Sequence, residues 1–214
     1  MHSNVYIKAP LVFALGTYAA PSTPESRGVQ CFYGTSFPAE STWLNFEQLW
    51  NKWTPVFQSH GDTAQEIKTL REAILNYSQQ GGFSPALITA IMVQESQGDT
   101  TVKCNDNDQS CGVLQVKGGP RQCANGAHPC DDATLRLMIQ CGTVGCGAQG
   151  TNVKNCIQKY GTNWGAVTRC YNSGSVADMG NLWYIPGGGD AGYTNKIGNI
   201  LTGIDVSALQ GLAC

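Results

Sequence analysis

The stretch SPALITAIMVQESQGD, residues 84–99, decides the reading of this chain. Ser84 and Pro85 are residue types that favour a helix N-cap and the first helical position. From Ala86 to Val93 every residue but Thr89 is apolar, so the segment reads as a buried helix. It then carries an acid, Glu95, in the last turn before Gly98. At helical spacing Glu95 shares a face with Leu87, Ile91 and Met92. Burial and the negative end of the helix dipole both disfavour its ionised form, which predicts a carboxyl that holds its proton. A general acid for glycosidic cleavage needs that property. A solvated glutamate at a frayed helix end is the alternative.

Composition sets the setting for that acid. The chain has 214 residues, 42% hydrophobic and 13% charged, with 26 Gly and 10 Cys. The charged fraction is about half the usual. This suits one loop-rich, cross-linked domain rather than a disordered chain. The first segment has Lys8, then an apolar run from Ala9 to Ala20 that is too short to span a bilayer. It reads as a secretory signal over residues 1–19, cut after Ala19, with a buried N-terminal strand as the alternative. Residues 20–42 are expected as a linker or short pro-segment, and 43–214 as the functional domain. Removing the signal takes only Lys8 from 13 cations set against 15 carboxylates, so the mature chain is acidic. That excludes nucleic acid as a partner, because phosphate binding needs clustered Lys and Arg. No later run is long enough for a membrane helix, and neither a membrane nor an oligomeric partner is expected.

All ten cysteines (Cys31, Cys104, Cys111, Cys123, Cys130, Cys141, Cys146, Cys156, Cys170 and Cys214) follow the signal. An even count in an exported chain implies disulfides. Cys104 with Cys111 and Cys123 with Cys130 are sequence-local candidates, and Cys31 with Cys214 would tie the ends. No CxxC occurs, and only His60 and His128 remain after the signal, so neither metal nor cofactor is expected.

Trp43, Phe46, Leu49, Trp50 and Trp53 fall at helical spacing up to Pro55. They are read as a core-facing stripe, with a sugar platform as the alternative. A second helix opens with Asp62 as N-cap, places Ile67, Leu70, Ile74 and Tyr77 on one face, and closes at Gly81 and Gly82. Asn76 heads an Asn-Tyr-Ser sequon, poorly placed on a helix. Residues 98–131 are rich in Gly, Asn, Asp and Cys around a strand-like CGVLQV. Helical patterning returns at DDATLRLMIQCGTV, NVKNCIQKYG, NWGAVTRCYNSG and, after a Gly-rich YIPGGGDAG, at YTNKIGNILTGI. The expected fold is mainly α, with a small hairpin or irregular segment flanking a cleft. No GxSxG, HExxH or P-loop pattern is present.

Four of these segments, ALITAIMVQES, CGVLQV, RCYNSGS and GYTNKI, occur in the order of four lysozyme-like motifs. The chain thereby resembles the goose-type lysozymes and soluble lytic transglycosylases over roughly residues 62–204. In that family a helix ends in Glu-Ser, a Gly-Leu-Met-Gln-like strand follows, and a Tyr-Asn-Ala-Gly-like turn comes later. The resemblance implies an α+β lysozyme-like fold and an exported enzyme acting on bacterial cell-wall glycan. It makes Glu95 the catalytic acid, Ser96 its neighbour and Gln115 a cleft glutamine. Tyr171, Asn172 and Tyr193 become sugar-contacting residues. Core aromatics at Tyr171 and Tyr193, a sheet-edge amide at Gln115 and a turn former at Asn172 are the structural alternatives.

A second carboxylate separates the possible reactions. An inverting hydrolase needs a base across the sugar to activate water; lytic transglycosylases lack it and close a 1,6-anhydro ring. The family's aspartate six residues before the strand glycine falls on Asp106, with Asp108 a near substitute. A Cys104–Cys111 bridge would hold that loop against the cleft. The family's second aspartate falls on Lys117 here. NDND read alone is also a solvated turn, and it lacks the closing Glu of a calcium loop. The expectation is a muramidase with Glu95 as acid, Asp106 as base and a mildly acidic optimum. A transglycosylase, a chitinase or chitosanase, and a non-catalytic glycan-binding protein are the alternatives.

Overall fold

The structure is a computed structural model that describes residues 28–32, 36–105, 107–120, 123 and 126–205. The expected signal segment, Asp106 and Cys214 lie outside the described residues. Among the described residues, seven α-helices and one two-stranded hairpin follow a short 3-10 turn at Glu40–Thr42. They are α1 (Phe46–Ser59), α2 (Ala64–Gly81), α3 (Pro85–Ser96), β1 (Ser110–Cys111), β2 (Val116–Lys117), α4 (Asp132–Thr143), α5 (Val153–Tyr160), α6 (Trp164–Ser173) and α7 (Tyr193–Leu201).

The helix at residues 84–99 is the hub. Ala86 to Val93 are all buried, because α3 packs against α1, α2 and α7 together. A helix apolar all round requires neighbours on every side. Glu95 therefore does not extend an apolar stripe; it leaves the core where the helix ends. That end is tight. Gln97 adopts a left-handed conformation and returns its N–H to Val93 O, and Gly98 follows at φ 81. A Cβ on Gly98 would stand 2.1 Å from the Phe57 ring, so glycine is required both for the turn and for the close approach of α1.

α1 runs through Pro55 instead of stopping there. Pro55 and Asn51, whose carbonyl loses its partner, are both exposed, so water can satisfy that group. The stripe is core-facing: Phe46, Leu49, Trp50, Trp53 and Phe57 are buried. Trp43 precedes the helix, and its Nε1 donates to Pro38 O. The N-cap of α2 is Thr63 rather than Asp62. Thr63 and Glu66 form a reciprocal capping box, which leaves Asp62 to accept from Thr100.

CGVLQV is not a strand. Cys111 ends β1 and Val116 begins β2, paired antiparallel in the register Ser110↔Lys117 and Cys111↔Val116. Gly112 to Gln115 make a turn closed by Gln115 N–H on Gly112 O at 2.9 Å. Val113 and Leu114 are buried, and their carbonyls are taken by the hydroxyls of Ser96 at 2.9 Å and Tyr171 at 2.7 Å. A buried turn is tolerated because its polar groups are satisfied this way.

Among pairs of described residues, four disulfides brace the loops: Cys104–Cys111, Cys123–Cys130, Cys141–Cys146 and Cys156–Cys170. The first two are the expected local pairs. Cys31 is also disulfide-bonded. Part of the segment expected as a linker is docked. Gln30 N–H donates to Asn199 Oδ1, Phe32 N–H to Asn195 Oδ1, and Asn199 Nδ2 returns to Gln30 O. Among the described residues no helix is long and apolar enough to cross a membrane.

Candidate active site

Where α3 ends, a cleft of about 760 Å³ opens between the hairpin, residues 149–151, the end of α6 and residues 187–190. That volume lies within the range of ligand sites, roughly 300–1,000 Å³. Glu95 is half-buried in it. The Tyr193 hydroxyl, at the start of α7, donates to Glu95 Oε1 at 2.6 Å. Tyr193 is 1% exposed, so it meets the acid from inside the protein. Both Tyr193 and Tyr171 are held well above the ordinary phenol range, first by burial and then by the Glu95 charge, and they remain protonated donors.

The residues singled out in the sequence divide into two groups. Glu95, Gln115, Tyr171 and Asn172 line the cleft. Tyr193 and Ser96 lie behind it: Ser96 ties the end of α3 to the hairpin turn and accepts from Gly98 N–H at 3.1 Å. Gln115, at φ 46, also has a supporting task. Its Nε2 donates to Gly112 O and Lys103 O, and its Oε1 accepts from Asn105 N–H, which pins the 104–111 loop to the hairpin. Asp108 is exposed at φ 64, outside the cleft lining.

Asn172 is oriented by its surroundings. Its Oδ1 accepts from Asp190 N–H at 3.0 Å and from Arg169 Nη2, so Nδ2 is the amide atom left to donate to a ligand. Asp190 also lines the cleft, but its carboxylate is committed. Lys196 Nζ stands 2.7 Å from Oδ2, and Gly192 N–H donates to Oδ1. The described cleft therefore presents two carboxylates, Glu95 and Asp190. Lys117, where the resemblance would place a second aspartate, stands exposed at the rim. Sequence reasoning missed Arg169 and Asp190. The Gly-rich YIPGGGD was visible, but nothing in one sequence indicates that an arginine on the preceding helix, α6, holds it.

A separate polar cluster lies outside the cleft lining. Asp62, Glu66 and His128 bring ligand-type atoms within 4.8 Å of one another. Glu66 Oε1 accepts from Cys130 N–H at 2.7 Å and lies 3.0 Å from His128 Nδ1, while Oε2 takes Thr63 N–H. The other ring nitrogen of His128 faces His60 O at 3.2 Å. An acceptor at each nitrogen requires a doubly protonated imidazolium. A cation there would have to displace that proton and share an oxygen already used. Burial pushes Glu66 upward, but the N–H groups of Cys130 and Thr63 and the His128 ring outweigh it and hold it at about 2. The hydrogen bond to Glu66 raises His128. Burial raises Asp62, against bonds from Thr100. The cluster is an ionic clamp between the start of α2 and the segment holding His128 and Cys130.

No family model, no curated protein and no solved structure matches the chain.

Proposed function

We propose that this chain is an exported lysozyme-like glycosidase that cleaves the β-1,4 bond between N-acetylmuramic acid and N-acetylglucosamine in bacterial peptidoglycan. The supporting observation is Glu95: an acid at the end of a helix whose residues 86–93 are all buried, half-buried in an open cleft, with a buried tyrosine hydroxyl 2.6 Å from its Oε1. A rigid helix end and the Tyr193 hydrogen bond help to fix the Glu95 carboxyl in the cleft, which is the requirement for protonating a leaving oxygen. In this reading Glu95 gives its proton to the glycosidic oxygen, and the C1–O bond breaks. Asn172 and Gln115 contact the sugars, while Ser96 and Tyr193 support the acid. The disulfides among the described residues and the acidic mature chain fit an exported protein.

Hydrolysis requires water activated by a second carboxylate, assigned by the resemblance to Asp106. A second reading, a lytic transglycosylase, draws support from the described cleft. There Asp190 is tied to Lys196, and Lys117 replaces the other family aspartate. In that case the C6 hydroxyl of the muramyl residue attacks C1, and no water is consumed. Both readings require Glu95. Glu95→Gln should fold with an unchanged far-ultraviolet spectrum and lose on the order of 10³-fold in lysis of bacterial walls, the scale of general acid catalysis. Retention of most lytic activity would remove Glu95 from the mechanism.

A further inference from the structure

We propose that Arg169 is a positioning residue that builds the sugar-binding wall of the cleft from beneath, by locking the 182–191 loop and the Asn172 amide into one unit. This inference rests on the glycosidase reading for what the wall binds, while the locking is a property of the chain itself.

Arg169 is 0% exposed, an uncommon setting for a guanidinium, and no carboxylate among the described residues hydrogen-bonds to it. Its Nη1 instead donates to main-chain carbonyls at both ends of the loop. Leu182 O lies at 3.2 Å, Asp190 O at 3.0 Å and Ala191 O at 3.5 Å. Its Nη2 donates to Asn172 Oδ1, one helical turn further along α6. Nε, buried as well, has no partner. A side chain that leaves one buried donor unmet is retained here by what its other donors hold.

The loop has its own turns, Tyr184 N–H on Asn181 O and Gly188 N–H on Ile185 O, and the Asp190–Lys196 ion pair; what Arg169 adds is the tie between its two ends. Gly187, Gly188 and Gly189 contribute no side chains, and glycine loses the most backbone freedom on becoming fixed. The wall is also built around the amide. Asn172 Oδ1 accepts from Asp190 N–H, and a Cβ on Gly189, at φ 124, would stand 2.8 Å from that oxygen. The loop backbone therefore rests directly on the amide that Arg169 orients. Because Oδ1 is doubly occupied, the amide cannot flip without losing both bonds, so Nδ2 is presented to the cleft as a donor. A planar fork can reach the carbonyls at both loop ends and the amide together; a lysine has a single point charge for the same tasks.

The test combines Arg169→Lys, Arg169→Met and Asn172→Ala with steady-state kinetics on soluble peptidoglycan fragments and with backbone hydrogen exchange. Arg169→Lys should raise KM about tenfold with kcat within about threefold, and Arg169→Met should raise it further. In the Asn172→Ala background the Arg169→Lys change should have little additional effect, because the two act through one unit. Exchange should quicken at residues 182–191 and stay unchanged in α1 to α3. A purely structural role would instead lower kcat with the folded fraction at constant KM, and additive effects with Asn172→Ala would equally overturn the proposal. If Arg169→Met does not fold, Arg169→Lys carries the comparison. If the wild-type chain neither binds nor cleaves glycan, the glycosidase reading fails. The locking then stands or falls on the exchange result for Arg169→Lys alone, with unchanged exchange at 182–191 overturning it.

Discussion

Glu95 shows how little of a side chain's role is contained in its own neighbourhood in the sequence. Helical spacing predicts an acid on an oily helix, and the structure gives it a buried hydroxyl from a residue 98 positions away. Tyr193→Phe isolates that contact, since the ring stays buried and only the hydrogen bond is lost. A hydrogen bond to a charged group contributes about 1.5–3 kcal/mol, so kcat should fall roughly 10–100-fold while the melting temperature moves by only a few degrees. An unchanged kcat would reduce Tyr193 to a core aromatic. Ser96 illustrates the opposite case. The resemblance makes it the neighbour of the acid, and its hydroxyl is engaged with Val113 O and Gly98 N–H, behind the cleft. Sequence position identified the residue but not the direction in which it works.

At the level of elements, the helices were legible because apolar periodicity and capping residues are local signals. Ser84 with Pro85, Gly82 in the left-handed conformation and Asp131 at the start of α4 all stand at their helix ends. The misreadings were non-local. CGVLQV contains strand-forming residues, but its buried carbonyls are taken by Ser96 and Tyr171, which stabilises a turn. Pro55 signals a stop, yet solvent satisfies the carbonyl it leaves open. The same hairpin turn makes Gly142 on α4 critical. A Cβ there would lie 2.9 Å from both Leu114 Cβ and the Tyr171 hydroxyl. Gly142→Ala would gain about 1 kcal/mol of helix propensity, but overpacking costs about 1–3 kcal/mol. A net loss of about 1 kcal/mol is expected in urea unfolding, together with weakened catalysis as the Tyr171 bond to Leu114 is pushed aside. A stabilised variant would show that the turn can relax at no cost.

Across the whole molecule, the hub helix α3 packs three other helices together, disulfides brace the loops, and an ionic clamp joins the start of α2 to His128 and Cys130. The clamp makes stability depend on pH from both sides. Glu66, held at about 2 against an ordinary value of 4.5, contributes stability that is complete above about 4.5 and lost as pH falls toward 2. His128 is raised above its ordinary 6.5, so its contribution is complete below 6.5 and fades as pH rises through its folded-state value. Asp62, also raised, adds to the loss with rising pH, beginning near 3.8. The melting temperature should therefore decline above neutrality, and His128→Gln should flatten that decline; a wild-type-like slope in the variant would show that other groups cause it. The cluster was not legible, because His128 lies 62 residues from Glu66 and meets it and Asp62 only through the fold.

The central claim, that Glu95 in this cleft cleaves cell-wall glycan, is tested most directly by mass spectrometry of muropeptides released from purified peptidoglycan. The wild-type chain should release fragments with new muramyl ends, and Glu95→Gln should release none. Ends that have gained water identify the hydrolase, and 1,6-anhydro ends identify the transglycosylase. Intact glycan after incubation with the folded wild-type protein, or equal release by the Glu95→Gln variant, would contradict the account.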